Sequence, residues 1–261
     1  MESLIIIPAR SGSTRVPNKN LAEINGKPLI YYSIKSSLNI KNSKVIVSTD
    51  SNEIAEISKS LGAHVPFLRP KSLANSTSTS ISVIIHTISE LIRNNDNIPE
   101  LIIFKPPTNP FLSTKSIQEM IDLKIRARNI DSVLSIQIPK VSALSYLSFS
   151  NETKKIKTEI YDIEGVRLYD NERSQDRPLS YASSPACKIT ETKYFLEKYI
   201  NNQIPLEKCS GPTFNHEDCI GYIIDNLEAH DIDNLEDFQL AKLIIEKGNS
   251  IFCEEKFYHL I

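Results

Sequence analysis

The segment LIIIPARSGSTRVPNKN, residues 4–20, contains the strongest structural signal in the chain. Its first four residues, 4–7, are apolar and mostly β-branched, a composition typical of a strand that is buried on both faces of a sheet. A polar loop at residues 8–20 follows directly. In open α/β sheets ligands bind at the carboxyl ends of the strands, so this loop is the first place to expect a binding site.

Strands and helices alternate along the chain after this segment. Apolar β-branched runs predict strands, and helical spacing predicts helices. The predicted strands are residues 44–49, 101–104, 132–136 and 219–224, and the predicted helices are residues 28–38, 52–61, 76–94, 115–125, 190–200 and 235–247. We expect Asp50 and Ser51 to cap the helix at 52–61 and Gly62 to end it. This order predicts an α/β fold with a mostly parallel, doubly wound, Rossmann-like sheet and helices on both faces.

The alternation breaks at residues 139–184, where strand-like pieces alternate with polar turns. We interpret residues 139–185 as a β-rich insertion or arm, and residues 1–138 together with 186–261 as one α/β domain. The strand-like pieces would expose an unpaired edge unless another chain covered them. We therefore expect a homodimer.

Composition and charge exclude several classes of protein. The 261 residues include 40% hydrophobic and 24% charged side chains, which excludes disorder as the main state. The balance of 30 Lys+Arg against 32 Asp+Glu argues against a nucleic-acid partner. The chain has no apolar run long enough for a membrane span, no signal-peptide pattern at its start and no CxxC pair. We expect a cytoplasmic protein with reduced thiols and no membrane partner.

The loop after the first strand has the chemistry of a triphosphate site. Arg10, Arg15 and Lys19 supply three cations within ten residues, and the small residues between them let backbone N–H groups approach a ligand. The loop matches neither the P-loop pattern nor the dinucleotide-binding pattern. The alternative is a solvated basic loop.

The pair Asp231 and Asp233 is a candidate metal site. Two carboxylates at i and i+2 in an extended segment point to one side, and a cation between them relieves their repulsion. Mg²⁺ held by one or two carboxylates and by substrate phosphates fits this pattern. The alternative is an N-terminal cap for the last helix, in which Asn234, Glu236 and Asp237 would take part.

Two arginines outside the loop are weaker candidates. Arg69, before Pro70, could contact a base or a phosphate, or could be a surface residue before a turn. Arg173, in the run RSQDRP at residues 173–178, could bind a carboxylate with both arms of its guanidinium, or could belong to a solvated turn. The scattered histidines match no triad or zinc pattern.

Together these segments resemble the acylneuraminate (CMP-sialic acid) cytidylyltransferase family over residues 5–245. The matching pieces, in chain order, are IPARSGSTRVPNKNL, NGKPLIYYSI, VSTD, LRPKSLA, PPTNPFL, RSQDRP, ITETKYF and DIDNLEDFQLA. The first loop also resembles the 3-deoxy-manno-octulosonate cytidylyltransferases, whereas the RSQD and DID segments favour the acylneuraminate branch. The resemblance implies a nucleotide-diphospho-sugar transferase fold, in which the insertion would be a dimerisation arm that reaches the neighbouring subunit.

The resemblance also implies a reaction and a set of site residues. CTP and a nine-carbon 2-keto sugar acid would give a CMP-sugar and pyrophosphate, with Mg²⁺ or Mn²⁺ bound by Asp231 and Asp233. The implied catalytic residues are Arg10, Lys19 and Asp233. The implied nucleotide-binding residues are Pro8, Ala9, Arg10, Ser11, Gly12, Ser13, Arg15, Lys19, Arg69 and Ser80. The implied sugar-binding residues are Arg173, Gln175, Thr108 and Asn109.

Where the sequence departs from the family, most changes lie where the sugar should bind. Pro106 replaces the usual Gln, Ser184 and Pro185 replace the usual Asn-Gly, and Ser76 replaces the usual Asp. These changes predict a nonulosonic acid other than N-acetylneuraminate. The alternatives are a 3-deoxy-manno-octulosonate cytidylyltransferase and a nucleotide-binding homologue without catalysis.

Overall fold

A computed structural model of the chain describes residues 1–139, 148–149, 156–157, 181–215 and 217–251. Most of the expected arm, residues 139–185, lies outside this range, as do Arg173 and Gln175. The division into an α/β domain and an arm therefore stays a prediction, and so does the contact of these two residues with a sugar.

The described residues form ten strands and six α-helices. The strands are β1 Ser3–Pro8, β2 Glu23–Ile24, β3 Lys27–Pro28, β4 Ser43–Ser48, β5 Leu101–Phe104, β6 Ser132–Gln137, β7 Ser148–Phe149, β8 Ile156–Lys157, β9 Ala182–Glu191 and β10 Cys219–Ile223. The helices are α1 Leu29–Leu38, α2 Asn52–Ser60, α3 Ser80–Arg93, α4 Thr114–Arg126, α5 Thr192–Phe195, which continues into a π-helical turn, and α6 Leu235–Ile251.

Six strands form the central sheet of the described chain, in the order β10-β6-β9-β5-β1-β4. β1 pairs in parallel with β4 and with β5, and β6 pairs in parallel with β10. β9 runs antiparallel to both of its neighbours, β5 and β6. The mostly parallel α/β sheet expected from the sequence is confirmed, with β9 as the strand of opposite direction.

The start of α5 differs from the expectation. The sequence predicts a helix from residue 190, but Thr190 and Glu191 still belong to β9 and the helix begins at Thr192. Thr190 is buried in the sheet, opposite Ile102 of β5, and its hydroxyl donates a hydrogen bond to the carbonyl of Thr213 at 3.0 Å. The prediction was wrong at these two residues because sheet pairing overrides the local helical spacing.

β9 is a long strand, Ala182–Glu191, in a region where the sequence analysis assigns residues to the insertion and to a helix. The pairing with β6 shifts between Ile136, which faces Ser183, and Leu134, which faces Lys188. Pro185 lies in the resulting bulge, where its missing N–H breaks no regular ladder bond. The strand contains a proline and several small residues, so its sequence lacks the apolar β-branched pattern that predicts a strand.

Hydrophobic packing fixes the loop after β1 against the rest of the domain. Val16 of this loop belongs to a core cluster with Phe111, Ile232 and residues of α1 and α6. Ile232, which lies between the two candidate metal ligands, is fully buried. Two further clusters of described residues cover the sheet, one under α1, α2 and α4 and the other under α3. Apolar contacts therefore bring the loop and the aspartate segment together.

Local details confirm that Ser51 and Gly62 lie at the two ends of α2. The hydroxyl of Ser51 caps α2 by accepting the N–H of Ile54 at 3.3 Å, and Gly62 follows the helix at a φ of +102°. The buried residues Cys187 and Cys209 are free thiols, and Cys253 lies outside the described residues. In the part of the chain that the structure describes, no helix is both long and apolar enough to cross a membrane.

Candidate active site

The loop after β1 lies at the carboxyl edge of the sheet, beside the ends of β4 and β5. The N–H of Ala9 continues the sheet by donating to the carbonyl of Ser48 at 2.9 Å. The buried amide of Asn20 donates to the carbonyl of Arg10 at 2.9 Å and so closes the loop on itself. Pro8 and Ala9 thus form the base of the loop, whereas Gly12 is exposed at its tip and Ser13 is partly exposed beside it.

Asp50, at the end of β4, holds the loop in place. One carboxylate oxygen accepts the N–H of Ser11 at 2.9 Å and the other accepts its hydroxyl at 2.6 Å. Burial raises the pKa of Asp50, but the hydrogen bonds from Ser11 outweigh burial and the pKa is lowered overall. The expectation that Asp50 caps α2 was wrong, since Ser51 alone does so. Ser11, predicted to bind the nucleotide, directs both of its donors to Asp50.

Arg69 is a buried arginine whose donors are incompletely used. Its backbone N–H donates to the carbonyl of Thr49 at 2.7 Å, and the residue is 5% exposed. Its side-chain Nε and Nη2 find no hydrogen-bond partner among the described residues. Burial lowers the pKa of Arg69, which the charge of Asp50 opposes. A surface arginine is therefore excluded, and unpaired buried donors favour an absent polar ligand.

Arg10 and Ser80 border the same region as Arg69. A guanidinium nitrogen of Arg10 donates to the carbonyl of Asn75, in the segment that leads into α3. Ser80 is the exposed first residue of α3, just after its cap Thr79. The structure thus brings three of the predicted nucleotide-binding residues to one side of the carboxyl edge.

Lys19 and the two aspartates meet on the other side of the loop. The Nζ of Lys19 donates to the carbonyl of Ile232 at 2.6 Å. Because Ile232 points into the core, Asp231 and Asp233 flank it on the opposite side of the segment. Arg15 pairs with Asp233, with 3.3 Å between Nη2 and Oδ1. Two residues of the loop, Arg15 and Lys19, therefore contact the segment that carries the candidate metal ligands.

The pKa values of Lys19 and Asp231 depend on burial and on the charges of neighbouring residues. Burial lowers the pKa of Lys19, whereas the charges of Asp231 and Asp233 raise it. Burial raises the pKa of Asp231, a hydrogen bond from Thr108 lowers it, and the charge of Asp233 raises it further. The Oδ1 atom of Asp231 is buried without a hydrogen-bond partner. A divalent cation would satisfy this oxygen and relieve the repulsion between the carboxylates, so the residues present fit Mg²⁺.

The cap of α6 is built without the two candidate ligands. Asn234 accepts the N–H of Asp237 at 2.9 Å, and Asp237 accepts the N–H groups of Asp233 and Asn234 at 2.9 and 3.0 Å. This is a reciprocal capping box. Asn234 and Asp237 therefore do cap the helix, as the alternative interpretation expected. The carboxylates of Asp231 and Asp233 take no part in the cap.

Thr108 and Asn109 support the aspartate segment. The carbonyl of Thr108 accepts the N–H of Ile232 at 2.9 Å, and its hydroxyl binds Asp231. The amide of Asn109 is fully buried and donates to the carbonyl of His230 at 3.0 Å. The structure places Asn109 behind the site and not at its surface, so its predicted contact with a sugar has no support here.

Sequence reasoning missed the roles of Asp50 and Asn20 in holding the loop. Both residues lie inside the motifs that carry the family resemblance. Neither has a local pattern that indicates its partner. Ser11 is 39 residues away from Asp50, and Arg10 is 10 residues away from Asn20.

Comparison with known proteins gives this arrangement a family. A family model described as cytidylyltransferase matches residues 4–251. A pseudaminic acid cytidylyltransferase from Campylobacter jejuni is 27% identical over 247 residues, 94% of this chain and 96% of that protein. A CMP-N,N'-diacetyllegionaminic acid synthase from Legionella pneumophila is 33% identical over 177 residues, 66% of this chain and 72% of that protein.

A solved structure shows the same fold. The structure titled CMP:2-keto-3-deoxy-manno-octonic acid synthetase complexed with CTP superposes with a TM-score of 0.67 at 11% identity, and covers 95% of this chain and 100% of that chain. The matched range of the family model contains the loop after β1, Arg69 and both aspartates. The chain belongs to the cytidylyltransferase family.

Proposed function

We propose that this protein transfers CMP from CTP to a nonulosonic acid and releases pyrophosphate. The observation that carries the proposal is that Arg15 and Lys19 contact the segment of Asp231 and Asp233 at the carboxyl edge of the sheet. Arg10, from the same loop, is close enough to Lys19 for its charge to lower the pKa of that lysine. Three cations match the charge of a triphosphate, and the carboxylates match the metal ion that accompanies it. The named functions of the relatives from Campylobacter and Legionella support the same reaction.

The residues of the chain would act mainly by positioning and charge neutralisation. The anomeric hydroxyl of the sugar attacks the α-phosphorus of CTP, and pyrophosphate leaves. Arg10 and Lys19 hold the phosphates that carry the growing negative charge, and Lys19 does so from a partly dehydrated position that strengthens its attraction. Asp231 and Asp233 would hold Mg²⁺ or Mn²⁺, which supplies positive charge to the phosphate oxygens.

Arg69 and Ser80 would bind the nucleoside part of CTP. The unpaired Nε and Nη2 of Arg69 are donors that a cytosine carbonyl and ring nitrogen can accept. Ser80 offers a hydroxyl at the start of α3, on the same side of the loop. The triphosphate would then run from this side of the loop toward Lys19 and the aspartates.

We further propose that the sugar is of the pseudaminic or legionaminic type. Pro106 and Pro185 stand where the family usually has Gln and the Asn-Gly pair, and neither proline can donate a backbone hydrogen bond. Each unpaired buried hydroxyl costs about 1–3 kcal/mol, so a sugar with deoxy positions or other acyl groups suits this pocket better. The names of two relatives support this choice.

A homodimer in the cytoplasm, where CTP is available, completes the proposal. Three large apolar side chains are exposed where the expected arm joins the sheet: Ile138 at 45%, Tyr181 at 46% and Ile223 at 52%. They lie at the ends of β6 and β10 and before the start of β9. A second subunit would cover such a patch, which is costly to leave in water.

The test is a pyrophosphate-release screen with CTP, Mg²⁺ and a panel of sugar acids. The panel holds pseudaminic, legionaminic, N-acetylneuraminic and 3-deoxy-manno-octulosonic acids. We expect kcat/KM for a pseudaminic or legionaminic acid to exceed that for N-acetylneuraminic acid by about tenfold or more. Preference for the eight-carbon acid would favour the octulosonate reaction, and no turnover despite CTP binding would favour a silent homologue.

A further inference from the structure

Lys188 is a partly buried cation that the proposed reaction has not yet used. It lies in β9, with its Nζ 5.2 Å from the centroid of the Phe214 ring. Burial lowers the pKa of Lys188. Among the described residues, no carboxylate forms an ion pair with it. A partly dehydrated ammonium group beside a ring gains much from an anion that a ligand supplies.

The sheet register places Lys188 near the carboxyl edge. Lys188 faces Phe104, the last residue of β5, and residues that face each other across two strands share a side of the sheet. Phe104 packs in the core cluster of α3, together with Ile81 and Ile84. Lys188 therefore lies on the side of the sheet that α3 covers, at the level where β5 ends.

One segment, residues 209–214, connects this position to the nucleotide side of the site. At one end the hydroxyl of Thr79, the residue before α3, donates to the carbonyl of Cys209 at 2.8 Å. At the other end Thr190 of β9 donates to the carbonyl of Thr213 at 3.0 Å, and Phe214 follows. Lys188 and the start of α3 thus border on the same segment.

We propose that Lys188 binds the carboxylate of the sugar acid and makes this enzyme specific for an acidic sugar. This inference rests on the proposed function. In a 2-keto sugar acid the carboxylate is bonded to the carbon that bears the reacting hydroxyl, so a cation that holds it also orients that hydroxyl. The ammonium group forms a charge-assisted hydrogen bond, and the ring of Phe214 fixes it on one side.

The strand order favours the sugar over the triphosphate as the partner of Lys188. The loop that carries Arg10, Arg15 and Lys19 follows β1, whereas Lys188 lies on β9, two strands away across β5. Two strand spacings amount to about 10 Å. The triphosphate already has three cations and two metal-binding carboxylates on the β1 side. In the proposed arrangement the acidic sugar lies beside the triphosphate, toward β9, where Lys188 offers a cation that has no ion pair among the described residues.

The test compares Lys188→Met and Lys188→Arg with the wild-type protein, using CTP and pseudaminic acid. The control is Lys198→Met, since Lys198 also lies over a ring, 5.1 Å from the centroid of Tyr194, but is exposed in the turn after α5 and donates a hydrogen bond to the hydroxyl of Tyr194. We expect Lys188→Met to raise KM for pseudaminic acid by about tenfold or more, while KM for CTP stays within about twofold. Lys188→Arg should restore part of the loss, and Lys198→Met should leave both constants unchanged.

The outcomes separate this inference from the proposed function. If the wild type is active and Lys188→Met leaves KM for pseudaminic acid unchanged, the inference is wrong and the reaction stands. If KM for CTP rises instead, the ammonium serves the triphosphate and the inference is again wrong. A wild type that is inactive with every sugar acid overturns both. Thermal melting of each variant shows that the change is not a loss of folding, because Met fills the same apolar space.

Discussion

Both carboxylate oxygens of Asp50 accept hydrogen bonds from Ser11, in the loop after β1. We predict that Asp50→Asn raises KM for CTP by about tenfold or more, because charge-assisted hydrogen bonds contribute about 1.5–3 kcal/mol. The change also removes a negative charge near the triphosphate, but water screens that repulsion at this partly exposed position.

The measurement is steady-state kinetics with varied CTP at saturating sugar acid. Glu56→Gln is the matched control, since Glu56 is an exposed acid on the neighbouring helix α2. If Asp50→Asn and Glu56→Gln have the same KM for CTP, Asp50 does not position the loop.

Asp231 and Asp233 are predicted to bind the metal ion that neutralises the triphosphate. Asp231→Asn and Asp233→Asn should each lower kcat/KM by about 10²-fold or more, since several kcal/mol of charge stabilisation is lost. The Mg²⁺ concentration that gives half of the maximal rate should rise in both variants. Glu236→Gln, in the first turn of α6, should leave the rate unchanged. Near-normal rates of both Asp variants at limiting Mg²⁺ would refute the metal site.

Lys105 is a fully buried lysine whose Nζ donates to the hydroxyl of Ser33 at 2.8 Å. Burial lowers the pKa of Lys105 to about 7. The unfolded chain keeps this proton up to a pKa of about 10.4, so the unfolded state binds more protons than the folded state above pH 7. The free energy of unfolding should therefore increase with pH, by about 1.5 kcal/mol between pH 7 and pH 8.5.

Urea unfolding at pH 7.0, 7.7 and 8.5 measures this slope. Burial also raises the pKa of Cys187 to about 12, which acts in the opposite direction once unfolded thiols ionise at higher pH, so the window stops at 8.5. Lys105→Met should remove most of the slope and raise the stability at pH 7. An equal slope in wild type and Lys105→Met would show that Lys105 is not the source.

At the scale of secondary structure, neighbouring residues at the start of α6 have different roles: some stabilise the helix and others are the candidate metal ligands. Asn234 and Asp237 cap the helix, whereas Asp231 and Asp233 lie just before it. We predict that Asn234→Ala lowers the free energy of unfolding by about 1 kcal/mol, the usual contribution of an N-cap. Its kcat and its Mg²⁺ dependence should stay close to wild type. A large loss of kcat in a stable Asn234→Ala variant would mean that the cap and the metal site are one unit.

β9 is the element that departs most from a simple alternation of strands and helices. It enters the sheet between β5 and β6 in the opposite direction and carries the bulge at Pro185. Because of this insertion, the residues that lead into β9 reach the carboxyl edge beside β6. The same arrangement brings Lys188 to the level where β5 ends, which makes it available to a sugar bound there.

At the scale of the whole molecule, the exposed side chains of Ile138, Tyr181 and Ile223 predict a dimer. Light scattering at micromolar concentration should give twice the mass of one chain. The double change Ile138→Glu/Tyr181→Glu should shift the protein toward the monomer, since it puts charges into a desolvated contact. Ile92→Glu is the control, because Ile92 is equally exposed at 44% but lies near the end of α3. A monodisperse wild-type monomer would contradict the prediction.

The sequence by itself determined the order of most elements and the residues proposed for the site. Hydrophobic periodicity is a local property, so the strands at residues 4–7 and 101–104 and the helices that became α2 and α4 could be found without a structure. The cluster of Arg10, Arg15 and Lys19 and the pair of aspartates are also local patterns. Their motifs, in that order, were enough to indicate the family.

Only the tertiary structure decided how distant residues meet. Arg69 is buried only because distant parts of the chain pack around it. The contact of Asp50 with Ser11 and the bond from Lys19 to Ile232 join residues that are far apart in the sequence, 213 positions in the second case. Such contacts leave no periodic trace in the sequence. The antiparallel pairing of β9 is of the same kind, because the bulge at Pro185 is stable only between the two strands that flank it. Long-range packing thus brings motifs that are far apart in the sequence to one edge of the sheet.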